Sequence, residues 1–290
     1  SVLEHLQHER TRTEFSWTLS SFSIQFFLKK FKLESITYLD ADLCFYSDPK
    51  ILFDELNGES VIITPHNYTP KYDQSFTSGR YCVQFMYFKN NEDGNKVLEW
   101  WRNECEKCCC GSPQFGKFGD QKYLDDWLSR FSGIIHEAKN IGCGIAPWNI
   151  QQFDILQEDG ILYVRNKITL LRDKIIFYHF HGLHEYITKD GSFMWDLNFG
   201  YDYTESVIDV LYRPYIQKLE SLVLITPKRK YPVASLPKKS SFISILYHTM
   251  RRTFKKILKS LMILKTYNEI KAEQNSKKNL FQTFQNFCKK

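Results

Sequence analysis

The sequence predicts an α/β domain with a mixed, mainly parallel sheet and flanking helices. Over about 180 residues, helical periodicity alternates with short β-branched and aromatic runs. One run, Cys82–Lys89, is apolar nearly throughout, as a strand buried on both faces would be. Two others lead into polar clusters, Asp40-Ala41-Asp42 and His179-Phe180-His181, and open α/β sheets collect their chemistry beyond the carboxyl ends of strands.

Each element has its own local warrant. Thr11–Phe31 reads as a helix because Phe15, Leu19, Phe22 and Phe26 recur at three- and four-residue spacing. Ile36–Asp40 reads as a strand, and Val61–Thr64 as a second, closed by Pro65. After the strand Cys82–Lys89, Asn95–Cys108 is helical, with Val97, Trp101 and Cys105 along one side. Asp120–Phe131 reads as another helix, its Asp120, Asp125 and Asp126 toward the end where the dipole favours acids. Ile161–Val164 and Ile175–Tyr178 are further strands, the second running into His179-Phe180-His181-Gly182-Leu183-His184.

With 290 residues, 43% hydrophobic and 25% charged, the chain can bury a core, which excludes disorder as its main state. No apolar run is long enough to span a membrane, and the start has no secretory pattern. It also lacks Met, as in a processed or incomplete chain. Four of the eight cysteines crowd into Cys105, Cys108, Cys109 and Cys110. A zinc site there would want a second pair at similar spacing, so they read as reduced thiols.

Charge divides the chain. Residues 228–290 hold 16 of the 39 Lys and Arg but only Glu269 and Glu273 as acids, a net +14 against −8 for the rest. The expected organisation is a body over 1–226, a Pro/Lys-rich linker over 227–241 and a basic helical tail over 242–290. Within that tail, Ile243, Leu246, Met250, Phe254, Ile257, Leu261 and Leu264 fall on one helical arc opposite Arg251, Arg252, Lys255, Lys256 and Lys259. Such a helix suits an anionic membrane surface, with packing on the body as the alternative. A nucleic-acid partner is not expected, because the basic face lacks interleaved aromatics and no reader motif occurs. The expected location is cytoplasmic, peripheral on the cytosolic face of the membrane.

The strongest chemical signal is Tyr38-Leu39-Asp40-Ala41-Asp42-Leu43, a strand delivering two carboxylates two residues apart into a loop. They can share a divalent cation, and hard oxygen ligands favour Mg²⁺ or Mn²⁺. Alternatively Asp40 caps a loop and Asp42 is solvated. This string, followed by the turn Ser47-Asp48-Pro49-Lys50 into a helix, resembles the donor-site segment of GT-A-fold nucleotide-diphospho-sugar glycosyltransferases. Within them it is most similar to the family-8-like retaining group. Three later segments agree in order: Cys82–Asn90, Phe118-Gly119-Asp120-Gln121 and His179-Phe180-His181-Gly182. The resemblance covers about Thr11 to Tyr186.

The resemblance implies a metal-dependent hexosyltransferase with a nucleotide-diphosphate sugar as donor and a saccharide or lipid-linked acceptor of lipopolysaccharide or capsule type. It makes Asp40 and Asp42 the metal and diphosphate ligands. His179 would complete the metal site, with His181 and His184 as rivals, and Gly182 would let backbone approach the phosphates. Asp120 and Gln121 match the pair near the anomeric carbon, and Ala146-Pro147-Trp148-Asn149 matches an acceptor-side segment, its indole a sugar platform or an ordinary core residue. The family's Asn-Ala-Gly segment is replaced by Cys82-Val83-Gln84, and only 39 residues precede Asp40, so the domain is expected to lack its amino-terminal βαβ unit. A second function class follows from that, a non-catalytic membrane-associated scaffold with a decayed transferase body. A phosphohydrolase is disfavoured because no second carboxylate cluster offers a two-metal site.

Overall fold

Two helices, α1 (Val2–Glu9) and α2 (Arg12–Phe31), lead into β1 (Ser35–Leu39), β2 (Leu43–Phe45), α3 (Lys50–Phe53), β3 (Val61–Pro65), α4 (Ser75–Ser78) and β4 (Tyr81–Lys89). Next come α5 (Glu92–Lys107), α6 (Trp127–Arg130), β5 (Ile135–Glu137), β6 (Phe153–Glu158), β7 (Ile161–Asn166) and β8 (Arg172–Lys174). β9 (Phe177–His179), β10 (His184–Ile187), β11 (Phe193–Asp196), α7 (Glu205–Val207) and α8 (Arg213–Val223) follow. The structure is a computed structural model that describes residues 2–112, 116–187, 193–198 and 200–223. The expected linker at 227–241 and basic tail at 242–290 lie outside the described residues, as does Cys288. No helix among the described residues is long and apolar enough to cross a membrane.

The α/β class and the mixed sheet hold, but the sheet is not mainly parallel. Its order is β1-β4-β3-β5, and β4 runs antiparallel to both neighbours. The only parallel ladder in this sheet joins β3 and β5. Connection length explains the difference. Parallel neighbours need a crossover, and the chain between β3 and β5 supplies one through α5 and α6. Between β3 and β4 there is a loop with a 3₁₀ turn at Pro70–Tyr72 and the single turn of α4, which returns the chain antiparallel.

β4 is buried almost throughout, as its apolar run predicts. Its pairing with β3 is irregular: Ile62 faces Tyr87, yet Thr64 faces Cys82, leaving Val83 to Met86 opposite Ile63. Such a bulge bends the strand and re-aims its side chains. Here it lies beside the residues that become the cavity wall.

α2 begins as its sequence dictates. Thr11 and Glu14 form a reciprocal capping box, worth about 1 kcal/mol, and Lys32 ends the helix in the left-handed conformation. Its buried stripe, however, is Thr18, Ser21, Ile24 and Leu28, whereas Phe26, Phe27 and Phe31 are exposed. Of the expected apolar positions, Phe15, Leu19 and Phe22 are half-buried and Phe26 is exposed, so they border the inner stripe and do not form it. Small hydroxyl residues go inside because they satisfy themselves on the helix: Thr18 Oγ1 donates to the Glu14 carbonyl at 2.7 Å and Ser21 Oγ to the Thr18 carbonyl at 3.3 Å.

Two further expectations change. The helix anticipated from Asp120 is a 3₁₀ segment over Lys122–Asp126 followed by the short α6. Cys108 and Cys110 are joined in a disulfide with Cα atoms 5.7 Å apart, so these two are not reduced thiols. The turn after α5 brings the two side chains together, which linear spacing did not reveal. Cys105 and Cys109 remain free and buried.

On one side of the sheet Trp101, Trp127 and Phe88 interlock, with the two indoles edge-on at 5.9 Å. Trp101 Nε1 donates to the Asp120 carbonyl at 2.9 Å, while Trp127 Nε1 has no partner among the described residues. Trp101→Phe and Trp127→Phe remove the same atoms, so their difference isolates that hydrogen bond. Chemical denaturation should find Trp101→Phe less stable than Trp127→Phe by about 1 kcal/mol. Equal losses would show that the bond to Asp120 contributes nothing.

Candidate functional site

A cavity of about 480 Å³ lies beyond the end of β1, and Asp40, Asp42, His179, Asp120 and Gln121 all line it. Backbone pairing puts them there. The Asp40 amide donates to the Gln84 carbonyl at 3.0 Å, extending the β1–β4 ladder by one residue. Leu43 pairs with His179 across β2 and β9, and the Phe180 amide donates to the Asp42 carbonyl at 2.9 Å. Segments more than a hundred residues apart are thus clamped beside each other.

The imidazole of His179 is buried, and both its nitrogens are engaged. Nδ1 lies 2.7 Å from Gln84 Oε1, and Nε2 lies 3.0 Å from Asp42 Oδ1 and 4.0 Å from Asp40 Oδ2. Hydrogen-bond direction assigns the roles. Thr64 Oγ1 donates to the Cys82 carbonyl at 3.2 Å and accepts from Gln84 Nε2 at 3.4 Å. The Gln84 oxygen therefore faces Nδ1, which must carry the proton. Nε2 is then the nitrogen that faces the two carboxylates: with a proton it donates to Asp42, and without one it offers its lone pair to a cation held there. That arrangement calls for positive charge between them, either a proton or a cation.

The carboxylates are tuned apart. Burial pushes the Asp40 carboxyl above the ordinary range, with His179 opposing. Burial acts on Asp42 in the same direction, but the hydrogen bond and charge of His179 outweigh it and hold that carboxyl below its usual value. Tyr38 also reaches Asp40, its hydroxyl donating to Oδ1 at 3.1 Å. Asp42, His179 and His181 offer three ligand atoms within 4.8 Å of one another. His181 thus joins the site as a possible ligand, while exposed His184 at the start of β10 belongs to neither ligand cluster.

Asp120 is buried, and burial, aided by the charge of Asp40 and opposed by a Ser20 hydrogen bond, pushes its carboxyl up to about 7. Gln121 Nε2 donates to the Ser78 carbonyl at 2.8 Å, fixing its side chain on the cavity rim. Trp148 lines the cavity yet is only 4% exposed, and it stands edge-on to His179 at 5.3 Å with its indole donating to the His66 carbonyl. Gly182 does not line the cavity; its φ is +75° and the Asn198 amide occupies the space a Cβ would need, at 2.7 Å. The glycine serves packing there.

Four contributors escape sequence reasoning. Gln84 and Thr64 are fully buried polar residues on strands, which is the available signal, since buried polar groups need partners. His66 is buried against Tyr68 with ring centroids 4.6 Å apart, and burial, then His179, pushes it down to about 3, so it stays neutral. Gly144 completes the set: its φ is +73°, and a Cβ there would lie 2.6 Å from Gln84 Nε2.

No family model matches the chain. It is 30% identical over 215 residues to the uncharacterized protein YfnD of Bacillus subtilis (strain 168), covering 73% of this chain and 66% of that protein. It is 32% identical over 189 residues to the uncharacterized protein YfnF of the same strain, covering 62% of this chain and 60% of that one. The chain thus spans less than two thirds of the length of either relative.

Asp120 gives a pH signature in metal-free buffer. Its folded pKa of about 7 lies above the ordinary 3.8, so the folded state holds the proton more tightly than the unfolded state. The cost of burying the ionised carboxylate is absent below the unfolded pKa and appears as pH rises toward 7. Asp120→Asn should therefore gain stability relative to the unmodified protein across that window, by on the order of 2–4 kcal/mol. Denaturation at several pH values checks this, and a pH-independent difference would rule it out.

Proposed function

We propose that this protein is a metal-dependent glycosyltransferase, moving a hexose from a nucleotide-diphosphate sugar to a saccharide or lipid-linked acceptor of the lipopolysaccharide or capsule type. The observation that carries the reading is the convergence of Asp40, Asp42 and His179 Nε2 in one cavity that Asp120 and Gln121 also line. Two carboxylates and an imidazole whose Nε2 faces them suit Mn²⁺ or Mg²⁺. Bound by Asp40, Asp42 and His179, such an ion would neutralise charge on the departing diphosphate.

The chain's own groups have distinct tasks in this reading. Gln84 holds the His179 tautomer, so that Nε2 stays an acceptor. Asp120, poised near neutrality, can donate to or accept from a sugar hydroxyl according to its protonation. One N–H of the Gln121 amide is held by the Ser78 carbonyl, and its oxygen is the group to accept from a hydroxyl. Trp148 and Tyr68, packed at the wall, keep water from the buried side. The basic segment at 242–290 would bring this body to an anionic membrane where a lipid-linked acceptor resides.

Calorimetric titration with UDP and GDP, with and without Mn²⁺, tests the reading. Metal-dependent binding is expected, whereas no binding under any condition would favour the scaffold alternative. Asp42→Asn should lower transfer by far more than tenfold, or about 1.4 kcal/mol of barrier, with the fold intact. His179→Ala should weaken Mn²⁺ binding more than His181→Ala or His184→Ala.

Gln84 has its own readout. Gln84→Leu should weaken Mn²⁺ affinity by roughly 10- to 100-fold, measured by electron paramagnetic resonance of free Mn²⁺. Gln84→Glu, which keeps an acceptor on Nδ1, should retain more. Equal losses would mean that the amide only fills space.

A further inference from the structure

Cys82 enters the cavity wall from β4, directly before the irregular stretch of its pairing with β3. It is buried on its protein side among Ala146 and Trp148. Its Sγ, a carboxylate oxygen of Asp40 and a ring nitrogen of His179 lie within 4.8 Å of one another. This is a second triad, distinct from Asp42, His179 and His181, and the two share His179.

The proposed hard-ion set, Asp40, Asp42 and His179, offers two carboxylates and one imidazole, whereas a cysteine sulfur beside one carboxylate and one imidazole is a donor set for zinc, cobalt(II) or cadmium. The thiol lines the cavity beside Asp40 and His179, and an arriving thiophilic ion would displace its proton to water and bind the thiolate. The surrounding bonds prepare both ligands at once. Thr64 donates to the Cys82 carbonyl and accepts from Gln84, which in turn orients His179.

We propose that Cys82 gives the cavity a second cation mode, in which Asp40, Cys82 and His179 hold a thiophilic divalent ion of the zinc class. Three protein ligands leave a further coordination position open toward the cavity, for water or an anionic oxygen. Nε2 of His179 has one lone pair and cannot serve two ions, so the thiophilic mode and the hard-ion mode exclude each other. Zinc-class ions would therefore displace Mn²⁺ rather than add to it. The inference shares Asp40 and His179 with the proposed donor site but does not depend on sugar transfer.

Cobalt(II) is the probe, because thiolate ligation produces a near-ultraviolet charge-transfer band. Titrating the metal-free full chain with Co²⁺ should develop that band, and Zn²⁺ should abolish it by competition. Cys82→Ser should remove the band and weaken Zn²⁺ binding by at least about tenfold, while Mn²⁺ affinity changes by less than about twofold. Cys82→Ala, which adds no hydroxyl, should behave alike. Zn²⁺ should also release bound Mn²⁺ from the unmodified protein in the resonance assay. A band absent from the unmodified chain, or surviving in both Cys82 variants, would overturn the proposal. So would simultaneous binding of Zn²⁺ and Mn²⁺. Failure of nucleotide binding would instead sink the transferase reading and leave the cobalt result untouched.

Discussion

Thr64, Gln84 and His179 form a directional chain of hydrogen bonds in which each group can be used one way only. The Thr64 hydroxyl spends its proton on the Cys82 carbonyl, the Gln84 amide turns its nitrogen to Thr64, and the amide oxygen fixes the proton on Nδ1 of His179. Nε2 is then left to meet Asp42 and Asp40. Reversing any link would put two donors or two acceptors face to face in a buried setting, at a cost of about 1–3 kcal/mol for each unsatisfied group. The local field of the cavity is therefore set by residues that do not themselves line it as ligands.

That chain depends in turn on how β4 is laid into the sheet. Gln84 falls within the stretch of β4 opposite Ile63, and Gly144 leaves the room its amide needs. β2 and β9, a ladder separate from the main sheet, bring Asp42 and His179 to the same place. Asp40 comes from the main sheet and Asp42 from the connection to β2, so the two carboxylates of one short motif are held by two different ladders. Their opposite pKa displacements follow from these different settings.

Asp40, Asp42 and His179 stood out because each follows a strongly patterned strand, where an abrupt polar residue is conspicuous, whereas Asp120 was marked only by its match to a family pattern. Gln84 did not stand out, because its partner lies 95 residues away and local periodicity says nothing of such a pairing. Its position inside an apolar run was a clue to a buried partner, read only as a departure from a family pattern. Strand direction was also beyond the pattern, since β4 looks the same from sequence whether it runs with or against β3. The inner face of α2 was misjudged for a related reason: periodicity counts aromatics, whereas the packing favoured Thr18 and Ser21, whose hydroxyls are satisfied within the helix. Gly182 matches a sequence pattern too, yet it lies off the cavity and packs against Asn198.

The uneven pairing of β3 and β4 sets two demands in opposition. A regular ladder would give Val83 to Met86 their own partners across the strand, and the sheet would be more cohesive for it. It would also rotate Gln84 and Cys82 away from the places they now hold, because a shift of one residue turns a side chain to the other face. Stabilising substitutions that straightened this pairing would therefore shift the cavity wall, so robustness and chemical capability pull apart at this segment.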